Sequence, residues 1–136
     1  MTPEQLIEIA KEAMLGAYAP YSGYKVGAAL LCADGTVYRG CNIENASYSP
    51  TNCAERTAFF TAVCAGHRDF TAIAVCGGKD GVISSAFPPC GVCRQVMREF
   101  CEDDFVIYLV NETGYTAVTL PQLLPYSFSA REHMGN

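Results

Sequence analysis

Two short stretches of this chain carry residue types that can hold a metal and move a proton. One is Cys53-Ala54-Glu55 and the other is Pro89-Cys90-Gly91-Val92-Cys93. The three thiols are candidate ligands, because zinc takes thiolate sulfur readily into a tetrahedral shell. Three protein ligands leave one position open for water, which marks a catalytic rather than a closed structural site. A carboxylate beside such a water can act as general base, and Glu55 stands next but one to Cys53. The expected cofactor is one Zn2+ per chain on Cys53, Cys90 and Cys93, with Glu55 as the catalytic residue.

The spacing constrains the geometry. Residues two apart on a helix do not share a face, so Cys53 and Glu55 can approach one ion only off a helix N-terminus. Cys90 and Cys93 are three apart and open another helix, so they do share a face. Two helix N-termini would then point at one ion, and their partial positive ends stabilise thiolates. Three thiolates around Zn2+ leave a formal charge of minus one, which weakens the pull on bound water. Arg56 is the candidate compensator, since a guanidinium can donate to sulfur from behind the ligands. The plainer alternatives are a solvated Arg56, a helix-start carboxylate at Glu55, and a closed structural zinc completed by Cys64 or His67. Cys64 and His67, however, lie more than ten residues from Cys53, at the far end of its helix.

Thr2-Pro3-Glu4-Gln5 reads as a capped helix start, and Leu6, Ile7, Ala10, Ala13, Met14 and Ala17 follow at helical spacing. Tyr24 to Cys32 is an apolar strand buried on both faces, and Asp34-Gly35 turns the chain back into a partner strand, Val37 to Ile43. Asn42 and Glu44 flank Ile43, so in extended chain they point to the same side. Asn52 is a candidate cap for a helix over Cys53 to Ala65, stopped by Gly66. Phe70 to Cys76 is a buried strand, and Gly77 to Pro89 is an irregular loop. Cys90 to Cys101 is a helix. Phe105 to Val110 and Tyr115 to Val118 are strands joined by Asn111-Glu112-Thr113-Gly114. That turn is too short for a crossover, so these two strands should be antiparallel. A short helix starts at Thr119-Leu120-Pro121. The fold class is α/β: a three-layer α/β/α sandwich around one mixed sheet of about five strands.

The chain has 136 residues, half of them hydrophobic and 17% charged, so a single domain over 1–136 is expected. A net charge of −5 argues against a surface that tracks phosphates. No apolar run approaches membrane-spanning length, and Met1-Thr2-Pro3-Glu4-Gln5 lacks the character of a signal peptide. The expected compartment is the cytoplasm, where eight cysteines favour metal binding and buried thiols over disulfides. Cys32, Cys41, Cys64, Cys76 and Cys101 are expected as small core hydrophobes.

The cysteine stretches together form the C-x-E…P-C-x-x-C variant of the zinc deaminase signature. With Tyr18-Ala19-Pro20-Tyr21-Ser22, Val26-Gly27-Ala28-Ala29-Leu30, Gly40-Cys41-Asn42-Ile43-Glu44-Asn45-Ala46, Arg56-Thr57-Ala58 and Arg94-Gln95, the chain resembles the small, homotetrameric cytidine deaminases almost end to end. The resemblance implies hydrolysis of cytidine and deoxycytidine to uridine and deoxyuridine. A zinc-activated water would add to C4 while Glu55 carries the protons. It further implies that Asn42 and Glu44 hold the ribose hydroxyls, that the Ala54 backbone reads the base edge, and that Tyr24 lines the pocket. Phe128 would close over the pyrimidine from a neighbouring subunit, and Tyr48 would sit at a subunit contact. Neither nucleic acid nor membrane is an expected partner. The rival readings are a polynucleotide deaminase, a deaminase of modified nucleosides, and a zinc-stapled binding module. The acidic charge, the tight Asn111–Gly114 turn and the Asn42-Ile43-Glu44 stretch stand against the first two.

Overall fold

The computed structural model describes residues 1–135. The first helix, α1 (Pro3–Met14), is closed by the expected capping box. Thr2 Oγ1 accepts from the Gln5 N–H at 3.2 Å, and Gln5 Oε1 accepts from the Thr2 N–H at 2.9 Å. There follow β1 (Tyr24–Cys32), β2 (Val37–Cys41), α2 (Ala54–Cys64), β3 (Phe70–Lys79), α3 (Gly91–Phe100), β4 (Val106–Asn111), β5 (Gly114–Thr119), α4 (Leu120–Leu123) and α5 (Ala130–His133).

The five strands form one sheet in the order β2-β1-β3-β4-β5. Only β3 and β4 run parallel, and α3 makes the crossover between them that a parallel pair requires. β4 and β5 are antiparallel, with Asn111 opposite Gly114, as the short turn demands.

Alternation along β1 and β3 sorts the core into two layers. Ala28, Leu30, Ile73 and Val75 face Ala58, Phe59 and Ala62 of α2 and Met97 of α3. Ala29, Ala72, Ala74 and Cys76 face Leu6, Ile7, Ala10 and Met14 of α1. Both faces of these strands are covered, which is why they read as continuous apolar runs. The result is the α/β/α arrangement expected from the pattern.

Two features fix α2 and α3, whose first turns carry the thiols. Phe59 lies 5.2 Å from the Phe70 ring, 6.2 Å from Phe100 and 6.0 Å from Phe105, clamping α2 to the far end of α3. Such ring pairs add about 0.5–1.5 kcal/mol each beyond the area they bury. At the near end, a Cβ on Gly40 would sit 2.1 Å from the Ala54 carbonyl oxygen and 2.6 Å from the Ala58 nitrogen. Only glycine at that point of β2 lets the first turn of α2 lie against the sheet.

Several boundaries differ from expectation. β2 stops at Cys41 rather than Ile43, because the Asn42 side chain takes the next rung: its Oδ1 accepts the Val26 N–H at 2.8 Å. Ile43 makes isolated bridges to Tyr18 and Asn52 instead. β3 runs three residues beyond Cys76, with Gly77, Gly78 and Lys79 paired to Val26, Lys25 and Tyr24. Gly78 is glycine for a tertiary reason, since a Cβ there would lie 1.8 Å from the Val82 carbonyl oxygen of the loop folding back over it. The cap of α2 is Cys53, not Asn52, whose amide donates to Thr57 Oγ1 at 3.1 Å. Cys90 caps α3 in the same way. Of the five cysteines expected in the core, Cys32, Cys76 and Cys101 are buried and Cys41 is half-buried. Cys64 is exposed, because it lies four residues after the exposed Phe60, on the outer face of α2.

Candidate active site

Cys53 and Cys90 occupy N-cap positions in extended backbone, and neither side chain makes the cap hydrogen bond. Their sulfurs turn instead toward each other and toward Cys93 in the first turn of α3. The three Sγ atoms lie within 4.8 Å of one another, with Cys90 and Cys93 3.7 Å apart. Arg56 Nη2 donates to Cys53 Sγ at 3.1 Å, so the guanidinium is engaged with the cluster rather than solvated. Its Nε is buried and finds no partner. A guanidinium that donates to sulfur calls for negative charge there, which three thiolates on a cation provide.

The electrostatics agree. Cys53 is held well below the ordinary thiol range, first by the hydrogen bond it accepts from Cys93 and then by Arg56, against the opposing effect of burial. Cys93, which is 1% exposed, is pushed up by donating that bond, by burial and by the nearby Glu55 carboxylate. Three soft donors at two helix N-termini, with a fourth side open to the pocket, make a set that suits tetrahedral zinc.

Glu55 is 4% exposed, and burial pushes its carboxyl up to about 7. It forms one wall of a pocket of about 230 Å³ together with Cys53, Cys90, Ala54, Asn42, Glu44 and Tyr24. The structure thus brings together most of the residues singled out from the sequence.

Asn42 and Glu44 do reach the same pocket, although the chain has left the sheet between them. Asn42 is spent largely on scaffold: besides the Val26 bond, its Nδ2 donates to the Tyr24 carbonyl at 2.8 Å. One amide N–H and one lone pair remain free. Glu44 Oε1 accepts the Tyr21 and Ser22 N–H groups at 3.0 and 3.1 Å, and the Ser22 hydroxyl donates to Oε2. These bonds, the Ser22 hydroxyl first, hold the Glu44 carboxyl below its usual range.

Phe128 and Tyr48 stand apart. Phe128 is 56% exposed, stacks on His133 at 5.2 Å and does not line its own chain's pocket. Tyr48 is 72% exposed, with a φ of 63° and an edge contact to Tyr21. His67 lies beside Asp34, at 3.8 Å, and Cys64 is at the solvent face, so neither belongs to the thiol cluster.

Sequence reasoning missed Phe87, Ser22 and Lys79. Phe87 stacks on Tyr24 at 5.9 Å and 29°. Lys79 Nζ sits 5.3 Å above the same Tyr24 ring and donates to the Ser22 carbonyl at 2.9 Å. The one local signal was position: Phe87 immediately precedes the prolines that deliver Cys90.

The family model described as the cytidine and deoxycytidylate deaminase zinc-binding region matches residues 1–109. The cytidine deaminase of Sporosarcina psychrophila is 52% identical over 97% of this chain and 95% of its own length. That of Halalkalibacterium halodurans is 51% identical over 97% of this chain and 98% of its own. Among solved structures, the Burkholderia pseudomallei cytidine deaminase matches with a TM-score of 0.87 at 49% identity, covering 94% of this chain and 100% of that one. The Mycobacterium tuberculosis cytidine deaminase matches with a TM-score of 0.78 at 38% identity, covering 92% and 95%. Fold, thiol cluster and sequence lead to one conclusion: the chain belongs to the zinc-binding cytidine and deoxycytidylate deaminase family.

Proposed function

We propose that this protein hydrolyses cytidine and 2'-deoxycytidine to uridine and 2'-deoxyuridine with release of ammonia, a pyrimidine-salvage reaction. The observation that carries this reading is a buried carboxylate, Glu55, beside three clustered thiols in a pocket that also takes Asn42 and Glu44 into its wall. Zinc bound by Cys53, Cys90 and Cys93 supplies the Lewis acidity that makes water a nucleophile near neutral pH. Glu55 accepts a proton as the oxygen adds to C4, delivers it to the ring nitrogen, and then helps protonate the departing amine. The C4–N bond breaks, ammonia carries away the electron pair, and a carbonyl remains at C4. Ala54, at the first position of α2, offers an N–H with no intrahelical acceptor to the base edge. Tyr24, backed by Phe87, gives the ring a flat wall. Arg56 offsets the thiolate charge from behind.

The free N–H of Asn42 and the spare lone pairs of Glu44 suit ribose hydroxyls. A Glu44 held ionised also repels a phosphate. Following ultraviolet loss with cytidine, deoxycytidine and CMP on zinc-loaded protein should therefore show both nucleosides reacting and CMP poor. Brisk CMP turnover would remove the ribose assignment, and a protein that binds cytidine yet releases no ammonia would be a binding module.

We also place the protein in the cytoplasm as a homotetramer, with Tyr48 at a subunit contact and Phe128 closing a neighbour's site. Among the described residues no helix is long and apolar enough to cross a membrane. The exposure of Phe128, Tyr48 and Phe60 supports faces turned toward other copies. Phe128→Ala should mainly raise KM. Mixing it with excess Glu55→Gln chains should return the KM of the surviving sites toward wild type, because those sites pair an intact Glu55 with an intact Phe128 from the partner. A KM unmoved by mixing would put Phe128 in its own chain's site or in none.

A further inference from the structure

The end of the sheet away from the pocket gathers a second set of ligating side chains. Cys32 ends β1, Asp34 sits in the turn to β2, and His67 follows the end of α2. The Cys32 sulfur, a carboxylate oxygen of Asp34 and a ring nitrogen of His67 all lie within 4.8 Å of one another. β1 carries Tyr24 at one end and Cys32 at the other, nine residues in all. At about 3.3 Å per residue the two clusters are well separated. They are nevertheless joined by the same strand and the same helix, since α2 begins at the pocket thiols and ends beside His67.

The three groups are placed as ligands rather than as mutual hydrogen-bond partners. Asp34 Oδ1 is occupied by the Thr36 N–H at 2.9 Å, which leaves Oδ2 toward the imidazole. Oδ2 stands 3.8 Å from His67 Nδ1, too far for a hydrogen bond. The His67 ring is steadied by an edge contact with Tyr38, centroids 5.2 Å apart at 62°. Zinc bonds of about 2.0–2.3 Å in a tetrahedron set ligand atoms roughly 3.5 Å apart. From separations of up to 4.8 Å the cluster must therefore contract by about 1.3 Å at most. Asp34 and His67, with side chains 59% and 22% exposed, have room to rotate by that much, while the buried Cys32 holds still. The surroundings favour a cation. The end of α2 carries the negative pole of its dipole and no basic residue in its last turn. The neighbouring Arg68 is directed at the Val63 and His67 carbonyls, at 3.0 and 2.8 Å.

We propose that Cys32, Asp34 and His67 form a second zinc site, structural in role, that ties the β1–β2 turn to the end of α2. One soft, one borderline and one hard donor with a fourth position on solvent suit Zn2+. On binding, the Cys32 thiol releases its proton to water and its sulfur donates to the ion.

The test is metal stoichiometry on the whole protein, loaded with excess Zn2+ and freed of unbound metal by gel filtration. Wild type should hold two equivalents per chain. His67→Gln and Asp34→Asn should each hold one, with cytidine turnover unchanged. A Cys90→Ala chain should keep one equivalent, and adding His67→Gln should remove it. Cobalt loading of Cys90→Ala should give a sulfur-to-cobalt charge-transfer band that His67→Gln abolishes. A wild type that saturates at one equivalent overturns the proposal, and so does a second equivalent that survives both His67→Gln and Asp34→Asn.

Discussion

Glu55→Gln should yield a folded, zinc-loaded protein that binds cytidine and barely turns it over. Glutamine keeps the size and hydrogen-bonding outline of the carboxylate but cannot take and return a proton. The side chain is buried, so a residue of the same volume leaves the packing around α2 intact. Glu55 stands beside the three clustered sulfurs but is not one of the ligand atoms, so metal content should be unchanged. Asn42, Glu44 and the Ala54 backbone remain, so affinity for the nucleoside should survive. The chemical step is different. One acid–base group is typically worth ~10²–10⁴ in rate. Here a single carboxylate serves several transfers in succession, so the loss in kcat should exceed that range. Zinc quantification, calorimetric binding of cytidine and a single-turnover assay read the three parts separately. Retention of more than about a tenth of wild-type turnover, a smaller loss than one acid–base group usually causes, would mean that another group carries the proton. A covalent adduct in the mass spectrum would instead make Glu55 a nucleophile.

What could be read from the sequence was what local chemistry encodes. The Thr2–Gln5 box and the apolar period after it specify α1 without help from the rest of the chain. The unbroken apolar runs of β1 and β3 follow from a sheet covered on both faces, and so does the α/β/α layering. Thiols at both helix starts were legible because an ion shared by Cys53 and its neighbours can lie only off a helix end. Even the two-residue period from Asn42 to Glu44 put both side chains at one pocket, although the strand had already ended.

The remainder depends on contacts between distant residues. Gly77 and Gly78 look like a loop by composition, yet they pair with Val26 and Lys25 as strand, and they are glycine because Phe87 crowds the first and the chain at Val82 the second. Phe87 sits in an irregular stretch, and nothing near it in sequence reveals the Tyr24 ring it meets. Cys64 resembles the other core cysteines until the face of α2 that it shares with Phe60 is known. The Cys32–Asp34–His67 cluster joins a hairpin turn to a helix end, and its members carry no mutual spacing that could announce it.

Cys90→Ala and Cys93→Ala should each abolish both the pocket zinc and activity, but they should differ in what they do to the metal-free fold. Two thiols and water hold zinc far less firmly than three thiols, and the open coordination site loses its defined direction. In a His67→Gln background, where only this site counts, either variant should fall from one zinc equivalent to none. The stabilisation that zinc gives the parent, about 2.7 kcal/mol at a hundred times its dissociation constant, should vanish as well. The apo proteins separate the two positions. Cys90 is exposed and makes no cap hydrogen bond, so Cys90→Ala removes little besides the ligand. Cys93 is 1% exposed and packed in the first turn of α3, so alanine there leaves unfilled space as well. With chelator present, Cys90→Ala should melt with the metal-free parent, and Cys93→Ala should melt below it. Arg56 then provides an internal check. Its Nη2 donates to Cys53, which both variants retain, so a collapse of the whole α2 start in Cys90→Ala is not expected. A variant that keeps its zinc equivalent and normal turnover would strike that cysteine from the ligand set.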